Sequence, residues 1–308
     1  MNMGKYLIKR LVMCVVTLFA LMTITFFLMH LIPGSPFAGE LSKLPAVVKE
    51  TLIEKYMLDK PIGDQYVAYL KNVLHGDFGT SLNRKGQLVT TIIAKGFPTT
   101  MKVGFCGFCV AMILGIIMGT VGAFSKNKIV QAIINFFSTI GVSVPSFLLA
   151  LLMMFVFGVW LGWFPIVGLK GPTSYILPAF GLAMGPIAYV TRLVRSSLQE
   201  EMRQDYMILA KSKGTSNKMV IIRHALKNAM IPVITYAGPL LAMLLTGSFV
   251  IETMFSIPGI GAEFVTSVSN RDYTMIMALT IMYGAMIIVA NVITDIITAM
   301  VDPRIRLK

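Results

Sequence analysis

Charged residues are scarce in this chain, and acidic residues are the scarcest. Only 13% of the 308 residues are charged, and 27 Lys and Arg stand against 14 Asp and Glu, for a net charge of +13. A soluble domain carries about 25% charged residues, so this shortage excludes a soluble enzyme. A hydrophobic content of 56% excludes a disordered or collagen-like chain. The excess of bases is typical of proteins that bind nucleic acid or membrane, and the hydropathy favours a membrane.

Residues for covalent chemistry are also missing. The three cysteines, Cys14, Cys106 and Cys109, lie in apolar stretches, which argues against a disulfide framework. The sequence contains no G-x-x-x-x-G-K-[ST] nucleotide-binding string, no G-x-S-x-G elbow and no H-E-x-x-H helix. We therefore expect a non-catalytic chain that holds no cofactor and no metal, so that another subunit must bind ATP if the protein uses it.

Long apolar runs dominate the sequence instead. A helix needs about 20 apolar residues to cross a bilayer. Six charge-free stretches reach that length: residues 11–32, 103–124, 129–169, 171–191, 229–251 and 273–294. The third could hold one span or two, and the positive-inside rule favours one, because two would place the eight bases of residues 192–228 outside. Pro145 within this span predicts a helix bend.

The expected fold is therefore an all-α polytopic membrane protein. It has six transmembrane helices, both termini in the cytoplasm and a large outer loop after helix one. Residues 1–32 form the N-terminus and first helix, residues 33–96 the outer loop, and residues 97–308 a five-helix core. That core includes a cytoplasmic loop at residues 192–228 and a second outer loop at residues 252–272. The apolar helices would contact membrane lipid.

Ionisable residues within the predicted spans are few. Asp295 lies near the inner end of the last span, one turn after Asn291. It is either a proton or cation site, or a carboxylate that reaches water or a basic partner at the interface. The second interpretation is favoured because no buried base accompanies it. The first leaves open a stand-alone secondary transporter or channel that uses Asp295.

The inner loop carries the most informative pattern. Glu200 to Lys213 predicts a polar helix with apolar residues at helical spacing, and Gly214 is a natural helix stop. A second helix follows over residues 217–228, so that two short helices form an elbow suited to a partner's groove. A DNA-binding helix-turn-helix and a lipid-bound amphipathic stretch are alternatives. Attachment to two membrane spans argues against DNA, and we expect no nucleic-acid partner.

This elbow resembles the "EAA" coupling loop of membrane subunits of bacterial ATP-binding-cassette (ABC) importers, in the version of the peptide and nickel class. In that family the loop inserts into a cleft on the cytoplasmic ATPase. The general Glu-Ala pair is replaced here by Ile208 and Leu209, and the proline arrives late, at Pro232. The residues that the resemblance assigns to the coupling loop are Asp205, Tyr206, Ala210, Gly214, Arg223, His224 and Pro232.

Further strings extend the resemblance almost end to end. The chain is similar to the oligopeptide-permease B-type subunit in Leu31-Ile-Pro-Gly-Ser-Pro36 and in its closing Asp302-Pro303-Arg304. An outer-face signature of the same class comprises Gly76, Asp77, Phe78, Gly79, Ser81, Pro258, Gly259, Gly261 and Asp272. The resemblance rests on all of these strings occurring in the family's order along six matching spans.

The resemblance implies a non-enzymatic subunit of the bacterial inner (plasma) membrane. With a homologous second permease it would form the path for oligopeptides, by alternating access driven by two cytoplasmic ATPase subunits. An external solute-binding protein would deliver the substrate. Dipeptides and nickel or metal chelates are alternative substrates. A path that tolerates many side chains should be wide and polar, with few fixed charges.

Overall fold

The computed structural model describes residues 3–31, 45–55, 57, 59–84, 86–214, 216–221 and 225–301, which are helical almost throughout. The helices are α1 (Met3–Leu31), α2 (Ala46–Lys55), α3 (Ile62–Leu74), α4 (Val89–Phe124), α5 (Lys128–Ser143), α6 (Ser146–Met153), α7 (Ile176–Glu201), α8 (Asp205–Ser212), α9 (Asn217–Val220), α10 (Leu226–Leu245), α11 (Phe249–Met254), α12 (Ile260–Asn270) and α13 (Tyr273–Val301). A π-helical segment, Met154–Trp160, continues α6, and a 3-10 turn, Pro172–Tyr175, leads into α7. The prediction of an all-α chain is confirmed for this described part.

Five helices of the described chain are long and apolar enough to cross a membrane, with a sixth span if α5 and α6 count as one. The predicted third span is not a single bent helix. Its two halves meet at an angle of 116°, as in a broken span or a re-entrant loop. Pro145 lies at the break, where its missing N–H and fixed φ end one helix and start the next.

The centre of the molecule is the pair α4 and α7. Small residues allow the two backbones to approach closely. A Cβ added to Gly119 would lie 2.7 Å from the carbonyl oxygen of Thr191, and one added to Gly115 would lie 2.6 Å from the Cβ of Val190. A larger side chain at either glycine would therefore separate the helices.

The remaining long helices surround this pair. Helix α10 packs against α4, α7 and α13, and α5 and α6 both pack against α7. Helix α1 packs mainly on α13 and leaves most of its apolar side chains exposed, including Leu11 and Val15. Arg10 of α1 forms an ion pair with Asp295 of α13. The basic partner that the sequence could not locate is therefore supplied by the first helix.

Some helix boundaries differ from the charge-free stretches. Helix α4 begins at Val89, within the predicted outer loop 33–96 and well before the charge-free stretch that starts at residue 103. Helix α3, which was not predicted, packs Tyr66 and Tyr69 against the ring of Phe26 in α1. Its apolar face is too short to qualify as a span, so hydropathy alone does not reveal it.

Candidate functional site

The connection between α7 and α10 is shorter than predicted. Helix α7 continues to Glu201, so residues 192–201 belong to it, and the predicted helix from Glu200 begins only at Asp205. We call residues 202–228 the elbow. Gly214 separates α8 from α9 with φ +80°, the left-handed conformation expected of a helix stop. Arg223 and His224 lie outside the described residues, as does the side chain of Ala210.

One face of the elbow is anchored in the core. Met207 and Val220 are fully buried, together with Ala225 just before α10. They pack in one cluster with Val194 and Leu198 of α7. Burying an apolar side chain of this size stabilises the fold by about 1.5–3 kcal/mol, so these contacts attach the elbow firmly to α7.

Tyr206 links the elbow to both long helices. Its hydroxyl donates to the carboxylate of Glu201 at the end of α7 and accepts from the Nδ2 of Asn228 in α10, at 2.9 Å. Asp205 is exposed in the first turn of α8, where the helix dipole favours a negative charge. Pro232 lies within α10, six residues after its start. A movement of α8 would thus be passed to α7 and α10 together.

The opposite face of the elbow is apolar and unpartnered within the described chain. The side chains of Ile208 and Leu209 are 61% and 56% exposed, and that of Met219 on the neighbouring helix is 43% exposed. Polar residues, Asp205 and Ser212 among them, flank this patch on α8. An exposed apolar patch with a polar rim is the usual mark of a protein interaction surface.

At the far end of α7 the structure joins two parts of the predicted outer-face signature, Ser81 and Asp272, which lie 191 positions apart. We call this contact the aspartate junction. Asp272 is buried and accepts hydrogen bonds from the Ser81 hydroxyl, the backbone N–H of Leu82 at 3.2 Å and the Thr274 hydroxyl at 2.9 Å. The backbone N–H of Met275 donates as well, at 3.2 Å. The junction fixes the loop after α3 to the start of α13.

Two glycines allow the backbone turns in the rest of that loop. Gly76 and Gly79 have φ of +75° and +78°, and the Asp77 carboxylate accepts from the backbone N–H of Gly79 at 2.8 Å. Phe78 inserts into an apolar cluster of α4, α12 and α13. Arg84 forms an ion pair with Glu263 of α12, which opposes the rise in the pKa of that carboxyl caused by burial. The part of the signature at residues 76–81 is thus held in a turn against α4, α12 and α13.

A second cluster contains the other predicted residues, Gly259 and Gly261, but its centre is Glu252. We call it the glutamate clasp. Glu252 of α11 is only 3% exposed, and it accepts from the Thr100 hydroxyl at 2.8 Å and the Ala262 N–H at 2.9 Å. A Cβ on Gly259 would lie 2.5 Å from the Glu252 Cδ, so glycine is required there. Pro258 precedes this glycine in the turn after α11.

Glu252 is not among the sequence-predicted site residues, because it directly follows the charge-free stretch 229–251 and falls in the predicted outer loop 252–272. Burial raises the pKa of its carboxyl, and the hydrogen bonds from Ala262 and Thr100 partly oppose that rise. Both buried carboxyls, Glu252 and Asp272, fall in the predicted outer loop 252–272, so the expectation of few ionisable residues within the spans does not concern them. One sequence feature could have indicated Glu252. It is the single acidic residue between Gly247 and Gly259, and glycines leave room for a buried carboxylate beside them.

The elbow and the two acidic clusters lie at opposite ends of α7. The start of α7 adjoins α11, since Leu177 packs in one cluster with Ile251 and Phe255, whereas the end of α7 adjoins the elbow. A helix of 26 residues spans about 39 Å, which exceeds the hydrocarbon thickness of a bilayer. No three His, Cys, Asp or Glu side chains among the described residues are arranged to hold a metal ion.

Family comparisons agree with this architecture. Residues 111–307 match the family described as binding-protein-dependent transport system inner membrane component, and residues 3–104 match the corresponding N-terminal membrane component. Together these matches include every helix discussed above.

Related proteins match over the full chain length. The dipeptide transport system permease protein of Lactococcus lactis subsp. cremoris is 44% identical over 305 residues, covering 99% of this chain and 100% of the relative. The oligopeptide transport system permease proteins of Haemophilus influenzae and Escherichia coli K12 are 42% and 40% identical over 306 residues, with the same coverage.

Solved structures show the same fold at much lower identity. The crystal structure of an amino acid ABC transporter with histidines matches with a TM-score of 0.55 and 15% identity, over 68% of this chain and 94% of that one. An inward-facing methionine ABC transporter matches with a TM-score of 0.52 and 16% identity, over 69% and 97%.

Proposed function

Since the chain belongs to the family of binding-protein-dependent transport system inner membrane components, we propose that it is the transmembrane subunit of an ATP-driven importer of oligopeptides. The relatives named for dipeptides and for oligopeptides are almost equally similar, which supports peptides as the substrate class. The proposal includes a homologous second permease, two ATPase subunits that bind ATP and Mg, and an external binding protein. Both termini and the elbow then face the cytoplasm, in a bacterial inner membrane.

The observation that carries this proposal is the two-faced elbow. Its buried face, with Met207 and Val220, transmits force to α7 and α10, and its exposed face, with Ile208 and Leu209, offers an apolar surface to an ATPase. Closure of the ATPases on ATP would move the elbow, and α7 would convey that movement to the opposite side. This is how we propose that alternating access is driven. The coupling residues Asp205, Tyr206, Ala210, Gly214, Arg223, His224 and Pro232 would belong to this device.

The elbow proposal is tested by placing charge on its exposed face. The double substitution Ile208→Asp and Leu209→Asp leaves the anchored face intact, so the subunit should fold and insert normally. We expect the ATPase subunits to stop co-purifying with it, and peptide-stimulated ATP hydrolysis to fall by about tenfold or more, as for loss of a central interface contact.

A matched control places aspartate at Val47 and Leu74, which are 72% and 85% exposed on α2 and α3. This control should retain ATPase binding. If the elbow variant binds and stimulates the ATPases like the control, the elbow is not the coupling surface.

Asp295 does not favour the alternative of a stand-alone transporter. Its ion pair with Arg10 neutralises its charge and connects two helices. A proton or cation site would need a carboxylate that is free to exchange its partner.

A further inference from the structure

Two breaks between helices and one proline inside a helix lie at the same cavity. Helices α5 and α6 separate at Val144 and Pro145, α7 contains Pro186, and α10 and α11 separate at residues 246–248. The interruptions surround one cavity of about 530 Å³. Its lining residues are Gly141, Val142, Ser143, Val144, Pro145, Ser146, Leu182, Gly185, Pro186, Met243, Leu244, Gly247 and Ser248. Ligand sites have volumes of roughly 300–1,000 Å³, so this cavity has the size of a small-molecule site.

The interruptions supply the cavity with polar backbone groups. Pro145 has no N–H to donate to the carbonyl oxygen of Gly141, and Pro186 has none for that of Leu182. The Gly141 oxygen lies 3.5 Å from the Cβ position of Gly185, at the cavity wall. Unpaired backbone groups at membrane depth are tolerated only inside protein or beside a water-filled space. The wall of this cavity provides such a place.

The cavity wall carries no charge and is mostly apolar, with serine hydroxyls and backbone carbonyl oxygens as its polar groups. Ser143 and Ser146 are exposed, and both line the cavity. None of the thirteen lining residues carries a charge. Glu252 lies behind Gly247, but its carboxylate is buried and engaged with Thr100 and Ala262. Such a surface suits neutral amide groups and offers no fixed charge for selecting charged side chains.

We propose that this cavity binds the main chain of the peptide during its passage, through the Ser143 and Ser146 hydroxyls and the freed carbonyl oxygens of Gly141 and Leu182. The inference rests on the proposed function and names the part of the substrate that the subunit recognises. Peptides share their main chain whatever their side chains, so one neutral site serves many sequences.

The test measures ATP-driven uptake by the assembled importer in proteoliposomes, with trialanine, trilysine and triglutamate as substrates. Ser146→Leu fills the cavity and removes a hydroxyl, and we expect uptake of all three peptides to fall by about tenfold. The milder pair Ser143→Ala and Ser146→Ala removes only hydroxyls and should lower uptake by about fivefold. Ser196→Leu, at an exposed serine of α7 outside the cavity, is the control and should leave uptake unchanged.

Three other outcomes would overturn the proposal. Equal uptake by Ser146→Leu and Ser196→Leu, in complexes purified in equal amounts, would show that the cavity holds only lipid or water. A loss that differs strongly between trilysine and triglutamate would overturn recognition of the main chain. Wild-type complexes that hydrolyse ATP but import none of the peptides would overturn the proposed substrate class, and the cavity assignment with it.

Discussion

The elbow and the two acidic clusters are both built from short segments beside long helices. They differ in which side chains they expose: the elbow exposes apolar side chains, and the clusters bury charged ones. The elbow exposes Ile208 and Leu209, whereas the clusters bury Asp272 and Glu252. Each buried carboxylate receives several hydrogen bonds, which is what makes its burial tolerable. The elbow is thus a surface that we propose a partner covers, whereas the hydrogen bonds of the two acidic clusters are made within the chain.

The largest expected effect comes from breaking the aspartate junction. Asp272→Ala leaves the Ser81 hydroxyl and the N–H groups of Leu82 and Met275 without an acceptor. We expect a loss of about 3 kcal/mol or more in stability, measured from the unfolding of the detergent-solubilised subunit. Asp77→Ala, which removes one exposed hydrogen bond, should cost about 1 kcal/mol or less. Equal losses would contradict the role of burial.

Adding a single methyl group at Gly259 should destabilise the glutamate clasp. Gly259→Ala places a Cβ at 2.5 Å from the Glu252 Cδ and from the Thr100 hydroxyl oxygen, so the clasp must open. The expected cost is about 1–3 kcal/mol, read from the same unfolding measurement. Gly63→Ala in α3 meets no atom within 4 Å and should be neutral or slightly stabilising. A neutral Gly259→Ala would mean that the clasp is loosely packed.

In the elbow, a polar contact should matter more for coupling than for stability. Tyr206→Phe removes the hydroxyl that joins Glu201 to Asn228 but keeps the ring in place. Stability should fall by only about 1 kcal/mol. Peptide-stimulated ATP hydrolysis should fall more than the basal rate, because α8 is then less firmly linked to α7 and α10. Equal declines in both rates would contradict this assignment of Tyr206.

The smallest expected effect is a pH dependence confined to the clasp. Burial raises the pKa of Glu252 above its value in the unfolded chain, so the folded protein holds this proton more tightly. The protonated Glu252 carboxyl therefore stabilises the fold most at a pH below the ordinary glutamate pKa. This contribution is lost as the pH rises through the raised pKa of the folded state. The melting temperature of the wild type relative to Glu252→Gln should therefore decrease as pH increases. Glu50→Gln, at an exposed residue of α2, should show no such trend.

The sequence predicted the features that depend on local composition. Long apolar runs indicate spans, and Gly214 indicates a helix stop, because hydropathy and glycine conformation act over a few residues. It did not predict that α7 continues through Glu200, since polar residues extend a helix as readily as they begin a new one. It missed Glu252 and the pairing of Ser81 with Asp272, because these depend on contacts between distant segments.

Labelling the elbow from each side of the membrane tests most directly whether it is the cytoplasmic surface that contacts the ATPases. Leu209→Cys should react with a membrane-impermeant maleimide in inside-out vesicles stripped of ATPase, above the background of Cys14, Cys106 and Cys109. Adding back the ATPase subunits should suppress that labelling. Reaction from the outer side, or labelling that the ATPases do not reduce, would contradict the elbow as the cytoplasmic coupling surface.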